Sequence, residues 1–177
     1  WAVIVALYEK NNIEQREVED LLEFVAFATV GDIMSLTGLN RILVKEGLKR
    51  IHHTTNIGMR ALVSQCGLLP EQIDTYHFGF VLGPCINAAG RLDTARRALR
   101  LFISESPEEA AEIADELVVL NEERKEMTRQ GVEEAKQLVE EGGYEKDPVL
   151  ILYLPDVHES IAGIIAGRIR ECYYRPT

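Results

Sequence analysis

Cysteine, proline and tryptophan are scarce, with three Cys, six Pro and one Trp among 177 residues. Cys66, Cys85 and Cys172 are odd in number and show no C-x-x-C spacing. A disulfide framework and a zinc knuckle are therefore not indicated, and a reducing cytoplasm is the natural compartment. With only 13 Gly besides, collagen-like and disulfide-scaffold classes are excluded. No apolar run approaches the ~18 residues of a membrane span. The apolar stretch Ala2 to Leu7 lacks the basic flank and cleavage site of a signal peptide. P-loop, zinc-protease and nucleophile-elbow spacings are missing too. The chain starts at Trp1 rather than Met and ends soon after a helix-like run, so it reads as a stretch of a longer protein.

Positive charge is also in short supply. Against 29 acidic residues stand 19 basic ones, a net charge of −10. A chain of this sign is at first sight repelled by nucleic acid. The charge is not evenly spread: residues 1–31 carry −4, 32–103 carry +4, 104–147 carry −10, and 148–177 are neutral. One central stretch thus equals the whole net charge. The 46% hydrophobic content excludes wholesale disorder and, at this length, suits one or two domains.

Apolar periodicity near 3.6 predicts helices over 2–10, Glu17–Thr29, Asn40–Ile51, Asn56–Cys66 and Thr75–Leu82. Gly31 is expected to permit a sharp turn, and Gly83-Pro84 to stop the fifth helix. Asp93-Thr94 caps a further helix to about Ile103. Ser106-Pro107-Glu108-Glu109 combines an N-cap, a first-turn proline and dipole-matched acids. The helix it opens continues to about Glu141, roughly 50 Å at ~1.5 Å per residue. Such a helix spans two domains or forms one arm of a hairpin. Gly131 inside it costs about 1 kcal/mol relative to Ala. Val149–Leu154 reads as a strand buried on both faces, followed by a helix over Ile161–Tyr173. Gly163 and Gly167, one turn apart, are expected to let that helix approach a neighbour. The β-loop-α order implies an α/β fold overall, mostly helical before residue 144.

Three stretches could carry chemistry. Asp32 emerges at the end of an apolar run, either as an oxygen ligand for a hard divalent cation or as an ordinary turn aspartate. Gly83 to Asp93 is rich in small residues and holds Asn87, Gly90 and Arg91. It suits a phosphate contact, or else a tight inter-helix loop with Arg91 paired to Asp93. His158-Glu159-Ser160 opens a helix, where backbone N–H groups favour anions; a solvent-facing histidine is the alternative. His52-His53 reads as a solvated helix end, since neighbours on a helix point about 100° apart. Arg41, Lys45, Lys49 and Arg50 form a basic stripe, and Arg96, Arg97 and Arg100 a basic cluster.

These residues bring a resemblance into view. Ala28-Thr29-Val30-Gly31-Asp32-Ile33-Met34-Ser35-Leu36, with Asn40-Arg41-Ile42-Leu43-Val44 and Gly47-Leu48, resembles the block after the core aspartates of RecJ-type exonucleases. Gly83-Pro84-x-Ile86-Asn87-Ala88-Ala89-Gly90-Arg91-Leu92-Asp93 is similar to their signature loop. His158-x-Ser160-Ile161-x-Gly163-Ile164-Ile165-Ala166-Gly167-Arg168 resembles the motif opening the DHH-associated C-terminal domain. The three blocks stand in the right order and cover nearly the whole chain.

The resemblance implies a hydrolase of the DHH phosphoesterase superfamily, a 5′-to-3′ exonuclease on single-stranded DNA in recombination and repair. It implies Mn²⁺ or Mg²⁺ as cofactor, with Asp32 as one metal ligand and catalytic residue. Asn87, Gly90, Arg91 and Arg168 would bind substrate, and His158 would reach toward the scissile phosphate. Residues 1–104 would be the C-terminal part of the DHH core, 105–143 a connector helix, and 144–177 the start of the next domain. A single-strand-binding protein or a helicase is the expected partner, and no membrane is involved. Alternatives are a phosphodiesterase acting on oligoribonucleotides or cyclic dinucleotides, and a non-catalytic replication scaffold. The Asp-x-Asp and Asp-His-His blocks of the family are not in this chain, and Ile51-His52-His53 is not a substitute. Cys85 replaces a common Arg, and Ser160 a common Gly.

Overall fold

In this computed structural model, residues 1–14 and 16–177 are described, with backbone only at Arg16 and Glu17. The helical periodicity is realised as α1 (Ala2–Lys10), α2 (Arg16–Asp20), α3 (Leu22–Gly31), α4 (Gly38–Ile51) and α5 (Ile57–Gln65). Then follow α6 (Thr75–His77), a π-helical turn (Phe78–Leu82), α7 (Gly83–Leu92), α8 (Ala95–Ile103), α9 (Pro107–Gly142) and α10 (Glu159–Tyr173). The helix expected over Glu17–Thr29 is broken at Leu21, where α2 passes into α3.

Two hydrophobic clusters form. The first gathers Phe27, Ile51, Met59, Leu62, Phe78, Leu82, Leu101 and Leu117 from α3 to α9. Its aromatic rings meet edge-on, Phe27 against Phe78 and Phe24 against Phe102, each pair 5.2 Å apart. The second gathers Ala135, Val139, Leu150, Ile161, Ile165 and Ile169. Both draw on α9, whose 36 residues span about 54 Å. The sequence signals for this helix act as expected. Ser106 Oγ accepts the Glu109 N–H at 3.2 Å, and Gly143 ends the helix at φ 66°.

Three expectations are corrected. Gly83-Pro84 does not stop a helix. The chain widens into the π turn and runs straight on as α7, with Pro84 in the first turn of α7, where a proline is tolerated. A Cβ at Gly83 would come within 2.5 Å of the Phe78 carbonyl oxygen, so the turn needs glycine there. Second, the left-handed residue after α3 is Ile33 at φ 54°, not Gly31. Third, no strand forms among the described residues. Val149–Leu154 is extended and alternates as a strand would, with Leu150, Leu152 and Leu154 turned inward. Ile151 and Tyr153 stay 88% and 82% exposed, so one face only is covered. Leu150 N–H donates to the Pro176 carbonyl at 2.8 Å, but no parallel or antiparallel ladder supports the segment.

The close helix approach also differs from expectation. Gly163 and Gly167 have open space around them, whereas a Cβ on Gly131 would overlap Ile165 Cδ1. The glycine that weakens α9 is the one that lets α10 dock on it.

Glu23 is buried in the first cluster's flank, at 4% exposure, with the Thr54 hydroxyl donating to it at 2.9 Å. Burial raises its carboxyl above the usual 4.5, and the Thr54 bond only partly opposes this. The folded state therefore binds this proton more tightly than the unfolded state. The associated stability is full below pH 4.5 and is lost as pH rises through the folded value. Glu23→Gln should remove that decline. Urea unfolding of both chains from pH 4 to 8 should show E23Q gaining stability relative to the parent as pH rises.

Candidate functional site

α7 presents its polar residues on one face. Asn87, Gly90 and Arg91 stand at i, i+3 and i+4 on the exposed side, while Gly83, Cys85, Ala88 and Ala89 are buried. Asn87, Gly90 and Arg91 are exposed, and nothing lies within 4 Å of a Cβ built on Gly90. At the start of this face, Asp32 and Asn87 line a 310 Å³ cavity with Ala28, Gly31 and Gly83. Asp32 itself is exposed at the C-terminal end of α3.

At the other end of α7, Arg91 Nη1 donates to the Ser160 carbonyl at 2.7 Å. Arg91 therefore does not pair with Asp93, which instead takes Arg97. The bond joins two stretches 69 residues apart and sets the α7 face against the first turn of α10. His158 is the N-cap there. Its Nδ1 accepts the Ser160 N–H at 3.3 Å and lies 2.7 Å from Ser160 Oγ. With Nδ1 accepting, the neutral ring carries its proton on Nε2, which is free to donate outward. Asp32 and Asn87 thus share one cavity, and Arg91 and His158 meet at the Ser160 turn. Arg168 lies about 15 Å along α10 from His158 and faces Glu171 at 3.4 Å.

One residue of the site escaped the sequence reading. Arg124 on α9 is half-buried, and Nε and Nη2 both donate to Asn121 Oδ1, at 3.2 and 3.0 Å. Burial, then the positive charge of Arg91, push its guanidinium below the usual arginine value. Two guanidinium groups thus feel each other, while Asp93, the carboxylate nearest to Arg91 in sequence, is engaged with Arg97. Asn121 is buried at 4% exposure and donates on to Cys85 Sγ at 3.6 Å. The available signal was position: Leu117, Asn121, Arg124, Thr128 and Gly131 alternate four and three residues apart, on the buried stripe of α9. A polar run on an apolar stripe marks a place where something polar must be met.

Four of the seven residues in the basic stripe and cluster are paired with carboxylates. Lys49 pairs with Glu46, Arg50 with Glu19 and Asp20, Arg97 with Asp93 and Glu116, and Arg100 with Glu109. His52 Nε2 donates to the Ile73 carbonyl oxygen at 3.0 Å.

Comparison with known proteins now decides the family. The chain is 36% identical over 173 residues to the single-stranded-DNA-specific exonuclease RecJ of Salmonella typhimurium, covering 96% of this chain and 30% of that protein. It is 31% identical over 158 residues to RecJ of Bacillus subtilis, covering 89% and 20%. Crystal structures of Thermus thermophilus RecJ with Mn²⁺ and with Mg²⁺ superpose at TM-scores of 0.82 and 0.83, both at 32% identity. Each match covers 96% of this chain, and 25% and 26% of those chains respectively. The chain belongs to the RecJ family. No protein-family model matches it. This RecJ-family chain spans about a third or less of the length of the curated relatives named here.

The metals of those relatives can be tested against the residues present. Among the described residues, no group of three or more His, Cys, Asp or Glu could hold a metal ion. Asp32 is one exposed carboxylate facing an amide, Asn87, across a largely apolar cavity. That donor set does not fit a pair of divalent ions. Among the described residues, no helix is long and apolar enough to cross a membrane.

Replacing Asn121 by Ala would strip Arg124 of both its hydrogen bonds and leave a half-buried guanidinium unmet. Asn121→Ala should lower stability by about 1–3 kcal/mol, read as a shift of the urea midpoint at unchanged slope.

Proposed function

We propose that this chain is part of a metal-dependent 5′-to-3′ exonuclease that hydrolyses single-stranded DNA in recombination and repair. The observation that carries the reading is the Arg91–Ser160 bond, because it brings two of the three family-like blocks into one polar face. Arg124 supplies a second guanidinium beside it. Paired guanidinium groups suit a backbone phosphate, whose oxygens accept bidentate hydrogen bonds and whose charge offsets the repulsion between them. In this reading Arg91 and Arg124 hold a phosphate, Asn87 orients it, and Gly90 leaves room for the strand to approach. His158, donating from Nε2, adds charge stabilisation near the scissile bond. Mn²⁺ or Mg²⁺ in the parent protein would activate water, with ligands that come mainly from outside this chain and Asp32 as one contributor.

The domain reading follows the two clusters: residues 1–104 as part of the catalytic core, 105–143 as connector, and 144–177 as the start of a second domain. The length of α9 favours the exonuclease over a compact small-nucleotide phosphodiesterase. A cytoplasmic setting fits three free thiols. A single-strand-binding protein or a helicase would be the working partner.

The experiment is a salt titration of single-stranded DNA binding by the full-length parent. Arg91→Ala and Arg124→Ala should each weaken binding about tenfold and reduce the slope of log K against log salt by about one. The slope, unlike affinity alone, would not move if these residues served folding only. Unchanged binding and slope in both variants would remove the phosphate role.

A further inference from the structure

Cys66 and Cys85 have no part in the reading above, yet they meet. Their Sγ atoms are 4.0 Å apart across 19 residues of sequence. Cys66 caps the C-terminal end of α5, and Cys85 sits in the first turns of α7. Both are free thiols, as is the exposed Cys172. Cys85 is buried at 3% exposure and held in place, with the Val81 carbonyl at 3.3 Å as acceptor and Asn121 Nδ2 at 3.6 Å as donor. Cys66 is half-buried, the less enclosed of the two.

We propose that Cys66 and Cys85 form a reversible disulfide site, oxidised by a small peroxide. The two residues have unequal roles. When the Cys85 S–H turns from the Val81 carbonyl to Cys66, that hydrogen bond and the charge of Lys125 hold the Cys66 thiol below its usual value, against the effect of burial. The same shared bond and burial push Cys85 up. Cys66 is therefore the thiolate that attacks peroxide, because the anion is the nucleophile. Its sulfur takes one oxygen as a sulfenic acid, and hydroxide leaves. The Cys85 sulfur then attacks the Cys66 sulfur, its proton goes to the departing hydroxyl, and water is released. One peroxide is reduced to two waters as two thiols become one disulfide.

Closing from 4.0 Å to a bond of about 2.05 Å requires both side chains to swing together. Cys85 then loses the proton it can offer Val81, and its sulfur withdraws from Asn121. Asn121 is the residue that holds Arg124. Oxidation at the back of α7 is thereby coupled to the guanidinium at its front.

The test uses the 177-residue chain, hydrogen peroxide and then iodoacetamide, with peptide mass mapping. A Cys66–Cys85 link, lighter by two hydrogens and reversed by a dithiol, should form at least about tenfold faster than any link to Cys172. Cys66→Ser, at a half-exposed position, should keep the unfolding midpoint and abolish the link. Recovery of Cys66 and Cys85 both alkylated after peroxide and denaturation would overturn the proposal. So would links to Cys172 at comparable rates. Neither readout depends on the exonuclease reading, so failure of one leaves the other standing.

Discussion

The structure depends on α9 staying one continuous helix while its buried stripe changes character. Ala110, Ile113, Ala114 and Leu117 face the first cluster, and Gly131, Ala135 and Val139 face the second. Between them the same stripe carries Asn121, Arg124 and Thr128. The stripe repeats every 3.5 residues on average, close enough to the helix period to keep one face inward over its length. An apolar stripe throughout would have made one long core. The polar inset instead divides it in two and leaves Arg124 facing Arg91 at the division. Thr128 returns its hydroxyl to the Arg124 carbonyl at 2.7 Å, so the inset is satisfied from within the helix as well.

This arrangement explains how so acidic a chain can present a basic face. Of the central −10, Glu109 and Glu116 neutralise Arg100 and Arg97 of α8, and several others pair within α9 itself, as Glu122 with Lys125 and Glu126 with Arg129. Exposed pairs of this kind contribute little to stability. Their consequence is spatial: they hold α8 along α9 and remove Arg97 and Arg100 from competition. Arg91 and Arg124 are left as guanidinium groups whose partners are a carbonyl and an amide oxygen, neither of which cancels charge.

What was legible in the sequence was what local chemistry decides. Ser106 with Pro107, Thr94 and Gly143 each act within one turn of themselves, and the helices they bound fall where expected. What was not legible depends on a distant neighbour. Val149–Leu154 has strand chemistry, but a strand exists only by pairing, and the chain offers it a single bond from Pro176. Gly83-Pro84 reads as a stop, and only the π turn beneath it lets the helix continue. Gly131 of α9 and Gly163 of α10 both sit inside helices, but only Gly131 lies at the contact between the two. In the site, Asp32, Asn87, Arg91 and His158 stood out by their settings. Arg124 did not, because an arginine in a Glu-rich helix looks solvated until its place on the stripe is counted.

The central claim is that α9 is unbroken through the polar inset and so holds the two clusters, and the Arg91–Ser160 contact, in fixed relation. Amide hydrogen exchange across α9 tests this most directly. If the claim holds, residues 121–130 exchange as slowly as the flanking turns at 113–118 and 132–139, by opening with the rest of the helix. Fast exchange confined to 121–130, with both flanks protected, would show two helices joined by a hinge and would contradict the account.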